Sequence, residues 1–145
     1  MSCLIRFERT GGPEVLQWVE ADVPLPAAGE VRIRHAAVGL NFIDTYHRSG
    51  LYPVPLPSGL GQEAAGVIEA LGEGVTGFAV GDRVAYVGGP LGAYSEVRNL
   101  AADLLVGLLP GSSVALAEAP TRRRRRASNS RRISASSVVS SSLDR

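Results

Sequence analysis

Apolar and polar residues alternate along much of the first hundred positions. In "EVRIRHAAVGL", Val31 and Ile33 fall on one side of an extended chain and Arg32 and Arg34 on the other. That is the period-two pattern of a strand with one buried face. "CLIRFER" and "VLQWVEADVP" read as two strands around the Gly-Pro turn of "GGPE". "QEAAGVIEALG", "DRVAYVGG" and "GAYSEVRNL" read as further strands of the buried type, and "PLPAAGE" as a loop. One segment departs from this pattern. In "NFIDTYHRSG", Phe42, Ile43 and Tyr46 fall at helical intervals, with Asn41 placed to cap and Gly50 to terminate. "LYPVPLPSGLG" is extended and stiffened by proline. Strands broken by Gly and Pro at short intervals predict a mainly β fold, a closed or partly open barrel carrying one short helix. There is no internal repeat.

Around Leu108 the character changes. "GSSVALAEAPTRRRRRASNSRRISASSVVSSSLDR" is nearly all Ala, Ser, Arg and Val, with no aromatic residue and no sustained period. Low complexity and one-sign charge predict disorder. The expected division is a folded domain over 1–108 and a low-complexity basic tail over 109–145. Charge follows the same line. The chain carries +1 in total, but residues 107–145 hold eight arginines against Glu118 and Asp144, a local +6, which leaves −5 on the body.

At 145 residues and 45% hydrophobic content, one domain with a real core is expected. No apolar run approaches the length of a membrane span, and "MSCLIRFERTGG" lacks the apolar stretch and cleavage site of a signal peptide. Cys3 is the sole cysteine, so neither an intrachain disulfide nor a cysteine-based zinc site can form. A cytoplasmic protein is the expectation, with Cys3 a small apolar residue of the first strand.

"GEGVTG" (Gly72, Gly74, Gly77) matches the G-x-G-x-x-G pattern and follows a strand-like run. A dinucleotide fingerprint must open a helix whose N-terminus holds the pyrophosphate. "FAVGDRVAYVGG" follows instead, a Gly81-Asp82 turn and a β-type run. The three glycines are read as turn residues with positive φ. "GGPLGA" fails the same test.

Candidate chemistry concentrates in "VGLNFIDTYHRSGLYP", Val38 to Pro53. It is polar and aromatic, with no cysteine, no carboxylate pair and no nucleophile–base pair. Such a site can position a reagent and does little chemistry alone.

Three stretches together resemble one family. "GVIEALGEGVTGFAVGDRVAYVG" resembles the β-hairpin segment of the medium-chain dehydrogenase/reductase catalytic domain, a GroES-like, partly open β-barrel. "GGPEVLQWVE" and "GLNFIDTYHRSGLYPVPLPSGLGQEAAG" narrow this to the quinone oxidoreductases, the zeta-crystallin-like branch. The resemblance runs from about Met1 to Leu108. In the zinc-dependent branch a cysteine and a histidine of this domain hold a catalytic zinc. The positions resembling them here are Asn41 and Gln62, and neither amide is a zinc ligand of the usual kind. His35 and His47 read as an ordinary strand and surface residue rather than replacements. No metal is expected.

The resemblance implies zinc-independent hydride transfer from NADPH to a quinone, with the cofactor carrying the chemistry and the protein supplying position. It implies that Asn41, Asp44 and Tyr46 lie by the nicotinamide and its ribose, with Phe42, Ile43 and Thr45 in the same cofactor-contacting segment. Tyr52 and Gln62 would line the quinone pocket. No residue is assigned a catalytic role. Plainer readings stand beside these: Tyr46 and Tyr52 packing on the barrel, Asp44 capping or pairing with Arg48 at i,i+4, and Glu63 structural. Full-length relatives are expected to be homo-oligomeric.

Nothing in the chain resembles the family's NADPH-binding Rossmann domain or its "AAGGVG"-type turn, so the chain alone is expected to be truncated and inactive. The absence of Lys and the sudden compositional break favour a frameshifted product of a GC-rich gene over a genuine tail. "TRRRRRAS" and "RRIS" look like basophilic kinase sites at Ser128 and Ser134. The arginine run could bind nucleic acid, but no aromatic residue interleaves to stack bases, and a solvated charge run is the favoured reading. Two alternatives remain: a non-enzymatic GroES-like module presenting a basic tail to nucleic acid, and a related reductase of enones or acyl thioesters.

Overall fold

The computed structural model describes residues 1–109 and 132–133. Among the described residues, nine strands and one α-helix follow in chain order: β1 Ser2–Phe7, β2 Gln17–Ala21, β3 Glu30–Val38, α1 Phe42–Ser49, β4 Ser58–Gly59, β5 Glu63–Leu71, β6 Arg83–Val87, β7 Val97–Ala101, β8 Val106–Leu108 and β9 Arg132–Ile133. They form a three-stranded sheet, β2-β1-β4, and a six-stranded sheet, β7-β3-β5-β6-β8-β9. All pairings are antiparallel except β8 with β9. The fold is mainly β with one helix, and neither sheet closes on itself. The tail from Pro110 onward lies outside the described residues, β9 excepted.

The alternation in β3 translates directly into burial. Val31 and Ile33 are fully buried, and Arg34 is exposed and paired with Glu69 of β5. Their neighbours across β5 and β6 complete the main core: Ala64, Ile68, Val84 and Tyr86, with Leu100 and Leu105. A smaller cluster of Phe7, Val15 and Leu60 lies under the other sheet. Residues 94–96 join the two sheets. The Ile5 amide donates to the Tyr94 carbonyl at 2.8 Å, Glu96 donates to Cys3 at 2.9 Å, and His35 donates to Glu96 at 2.8 Å. "GAYSEVRNL" is therefore a strand only from Val97; its first half is a connector that bends back over β1.

His35 serves this junction. Its Nδ1 lies 2.7 Å from the Ser95 carbonyl and its Nε2 lies 3.1 Å from the Tyr86 hydroxyl. A carbonyl only accepts, so Nδ1 carries the proton and Nε2 accepts from Tyr86. Burial lowers the His35 pKa and raises that of Tyr86, so both stay neutral around pH 7.

The glycine motif divides on inspection. Gly74 and Gly77 have positive φ, as expected of turn residues. Gly72 does not. Its amide donates to the Glu30 carbonyl at 2.8 Å, and a Cβ there would run into the Ala27 carbonyl. Gly72 is required by close approach of two backbones rather than by its own torsion.

Two outcomes follow for stability. Gly72→Ala, which presses on rigid backbone, is expected to reach or exceed the top of the roughly 1–3 kcal/mol range for overpacking. Gly74→Ala meets open space and is expected to cost only the strain of a left-handed residue, roughly 1–2 kcal/mol. Urea denaturation of both variants checks the order. For His35, the folded pKa lies below the unfolded value, so protonation favours the unfolded chain. The contribution is fully present above about pH 6.5 and is lost as pH falls through the folded pKa. The fall in Tm between neutral and acid pH should therefore be smaller in His35→Gln than in the wild type.

Candidate functional site

Helix α1 sits between the end of β3 and β4, and it is laid down inside out. Asn41 is extended (φ −120°, ψ 147°) and precedes the first turn; Gly50, in the left-handed region at φ 87°, ends the helix with its N–H on the Tyr46 carbonyl at 3.1 Å. Both are as the sequence predicts. The buried residues of α1 are polar, Asp44 and His47, whereas Phe42 is 74% exposed. His47 is thus not the surface residue expected. It lies three positions after Asp44, on the inward side, and its ring contacts Tyr52 at 6.2 Å between centroids.

The inward side is organised by two carboxylates. The Asp44 carboxylate accepts the Asn41 backbone N–H at 2.9 Å and the Tyr94 hydroxyl at 2.7 Å through the same oxygen, Oδ2. Its other oxygen, Oδ1, is buried without a partner among the described residues. Arg48 donates to the Gly11 carbonyl at 3.2 Å, so the i,i+4 pairing with Asp44 is not what engages it. Glu63, the first residue of β5, is 5% exposed, and its Oε1 accepts the Asn41 side-chain N–H at 2.8 Å. Asn41 is therefore held by its backbone from one carboxylate and by its side chain from the other. Burial and the adjacent Asp44 charge drive the Tyr94 hydroxyl well above the usual phenol pKa, which keeps it a donor.

The outward side is aromatic. Phe42 and Tyr46 meet edge to face at 5.3 Å, and Tyr46 meets Tyr52 at 5.3 Å. Tyr52 is 48% exposed and is tied down by its own N–H on the Tyr46 carbonyl at 3.2 Å. The Thr45 hydroxyl is spent inside the helix, on the Phe42 carbonyl at 2.7 Å. Ile43 is half-buried. Gln62 is half-buried beside Glu63, with its backbone carbonyl on the Gly88 N–H at 2.8 Å. The side chains of Tyr46, Tyr52 and Gln62 make no hydrogen bond among the described residues. Among the described residues, no group of three or more His, Cys, Asp or Glu is arranged to hold a metal.

The arrangement combines a fixed amide, uncommitted hydroxyls and a ring surface turned outward. The match with known proteins fits it. The alcohol dehydrogenase GroES-like domain matches residues 27–117. The chain belongs to that family. Within the family, its resemblance to quinone oxidoreductases is close. It is 59% identical over 112 residues to a quinone oxidoreductase of Pseudomonas aeruginosa, covering 77% of this chain and 34% of that protein. A solved structure of the Escherichia coli quinone oxidoreductase complexed with NADPH superposes with a TM-score of 0.75 at 51% identity, covering 77% of this chain and 35% of that one. A 2-haloacrylate reductase of Burkholderia is 48% identical over 105 residues, 69% of this chain and 31% of that protein. The chain thus spans about a third of the length of these relatives.

Of the expected site residues, Asn41, Phe42, Tyr46 and Tyr52 of this GroES-like domain form one continuous group, and Glu63 links them to β5 beside Gln62. Tyr94 went unread in the sequence because its role depends on a bend 50 residues from Asp44. Glu63 left a trace: a carboxylate heading a run of buried small residues, Ala64 to Gly66. Tyr94→Phe removes a hydrogen bond to a buried carboxylate. It is expected to lower stability by about 1.5–3 kcal/mol, read as a drop in urea midpoint at unchanged slope.

Proposed function

We propose that this domain is the substrate side of a zinc-independent quinone reductase that uses NADPH. The observation that carries the reading is the superposition, at 51% identity, on a quinone oxidoreductase crystallised with NADPH. The site's donor set supports it. A nicotinamide riboside is a flat ring on a hydroxyl-rich sugar. Phe42 and Tyr46 offer ring surface, and the orphaned Asp44 Oδ1 is an acceptor matched to a ribose hydroxyl. These residues fit the group. When bound, NADPH supplies the hydride; the chain's residues supply position. Asn41 is held at its backbone by Asp44 and at its side chain by Glu63. Phe42, Ile43 and Thr45 set the cofactor-facing turn of α1. Tyr52 and Gln62 face the acceptor, where their uncommitted donors suit quinone oxygens.

A second reading has its own support. A 2-haloacrylate, like a quinone, is an alkene conjugated to a carbonyl, and the same positioning serves hydride delivery to either. The acceptor class is therefore an electron-poor conjugated alkene, with quinones the first choice.

The glycine pattern at 72–77 lies in turns and opens no helix, so the described residues offer no dinucleotide phosphate cradle. We propose that the 145-residue polypeptide does not turn over by itself. Mixed with NADPH and menadione, it should consume reduced nicotinamide no faster than the uncatalysed background. A chimera carrying the remainder of the Pseudomonas aeruginosa relative should regain turnover. In that chimera Asn41→Ala should lower kcat/KM by roughly a hundredfold. Turnover by the lone polypeptide would overturn the dependence on the remainder; an inert, folded chimera would overturn the activity.

A further inference from the structure

We propose that Glu63 is a positioning residue: its carboxylate fixes which way round the Asn41 amide faces the bound reactants. The proposal rests on the reading just given, in which Asn41 meets the nicotinamide. An asparagine amide presents an N–H edge and a carbonyl edge of nearly equal size, and a half-turn about its last bond exchanges them. A site that tolerated both orientations would offer a donor half the time and an acceptor the other half. Glu63 removes the choice. Its Oε1 lies 2.8 Å from the Asn41 Nδ2, and the reversed amide would set two acceptors, one of them charged, at that separation.

Three features suit Glu63 to this task. It is 5% exposed, so the carboxylate is little screened by water and the preference is strong. It is the first residue of β5, paired across to Val87 of β6 and bonded through its carbonyl to the Gly39 N–H at 3.1 Å, so its backbone is anchored on both sides. Its side chain lies directly over Gly39: a Cβ at that position would strike the Glu63 carboxyl and Cγ. Gly39 thus leaves the space in which the carboxylate reaches Asn41, two residues further on. The Asn41 backbone is held independently by Asp44, so the amide's orientation can change without release of the helix.

The test reads the Asn41 side chain by nuclear magnetic resonance in the isotope-labelled 145-residue polypeptide, with no cofactor or acceptor present. An asparagine amide gives two Nδ2 proton signals whichever way it faces, since rotation about its C–N bond is slow; a fixed one shows the proton on Glu63 shifted downfield and slow to exchange with solvent. Glu63→Gln keeps size and burial, but the new amide can serve either orientation of Asn41. The downfield shift should collapse and exchange should quicken at least tenfold. Gly39→Ala keeps the charge and displaces it, and should give the same result. This second variant decides the matter if Glu63→Gln fails to fold. A wild-type Nδ2 proton with no downfield shift and fast exchange, or wild-type positions retained in either folded variant, would overturn the proposal. A merely structural Glu63 would change the melting temperature and leave these signals alone. Because no reactant is present, the outcome is independent of whether the reductase reading survives its own assay.

Discussion

The polar underside of α1 is the constraint around which this site is built. Two carboxylates, Asp44 and Glu63, are each only 5% exposed, and neither pairs with a cation in the described residues. A buried carboxylate is costly unless hydrogen bonds replace its water. Here the donors come from three separate places: the Asn41 backbone, the Asn41 side chain and the Tyr94 hydroxyl. Satisfying them ties α1 to β5 and to the connector between β6 and β7. With Asp44 and His47 turned inward, Phe42 is left exposed and Tyr46 half-buried.

That inversion explains a chemically quiet site. An outward Phe42 would be a liability on an ordinary amphipathic helix. Here it meets Tyr46 edge to face, the ring surface proposed above for a flat ligand. The groups with acid–base capacity are turned inward and used for position. What remains exposed is uncharged: amide, phenol and ring. Under the reading proposed above, chemistry at such a surface is brought by a bound cofactor. The two buried carboxylates hold Asn41 and Tyr94 in place.

The three-stranded sheet and the main core meet through residues 94–96, and the same connector places Tyr94 under Asp44. Fold and site therefore share one junction. His35 is neutral within it, and burial sets that state.

Periodicity determined much by itself. The alternation of β3, the helix from Asn41 to Gly50 and the turn roles of Gly74 and Gly77 depend on neighbours in sequence, and each was legible there. So was the cluster of candidate residues, since most lie in one contiguous stretch. Which face of α1 turns inward was not legible. Local hydrophobicity puts Phe42 inside and His47 at the surface, and the structure reverses both; the partners of the inward face, Glu63 and Tyr94, lie 22 and 50 residues from the positions they hold. The role of Gly72 was hidden for the same reason, since the Ala27 carbonyl that excludes a side chain there belongs to another loop. Short-range pattern decides which elements form. Only the meeting of distant segments decides which polar groups can be buried, because a buried charge is tolerated only where donors from elsewhere in the chain arrive to meet it.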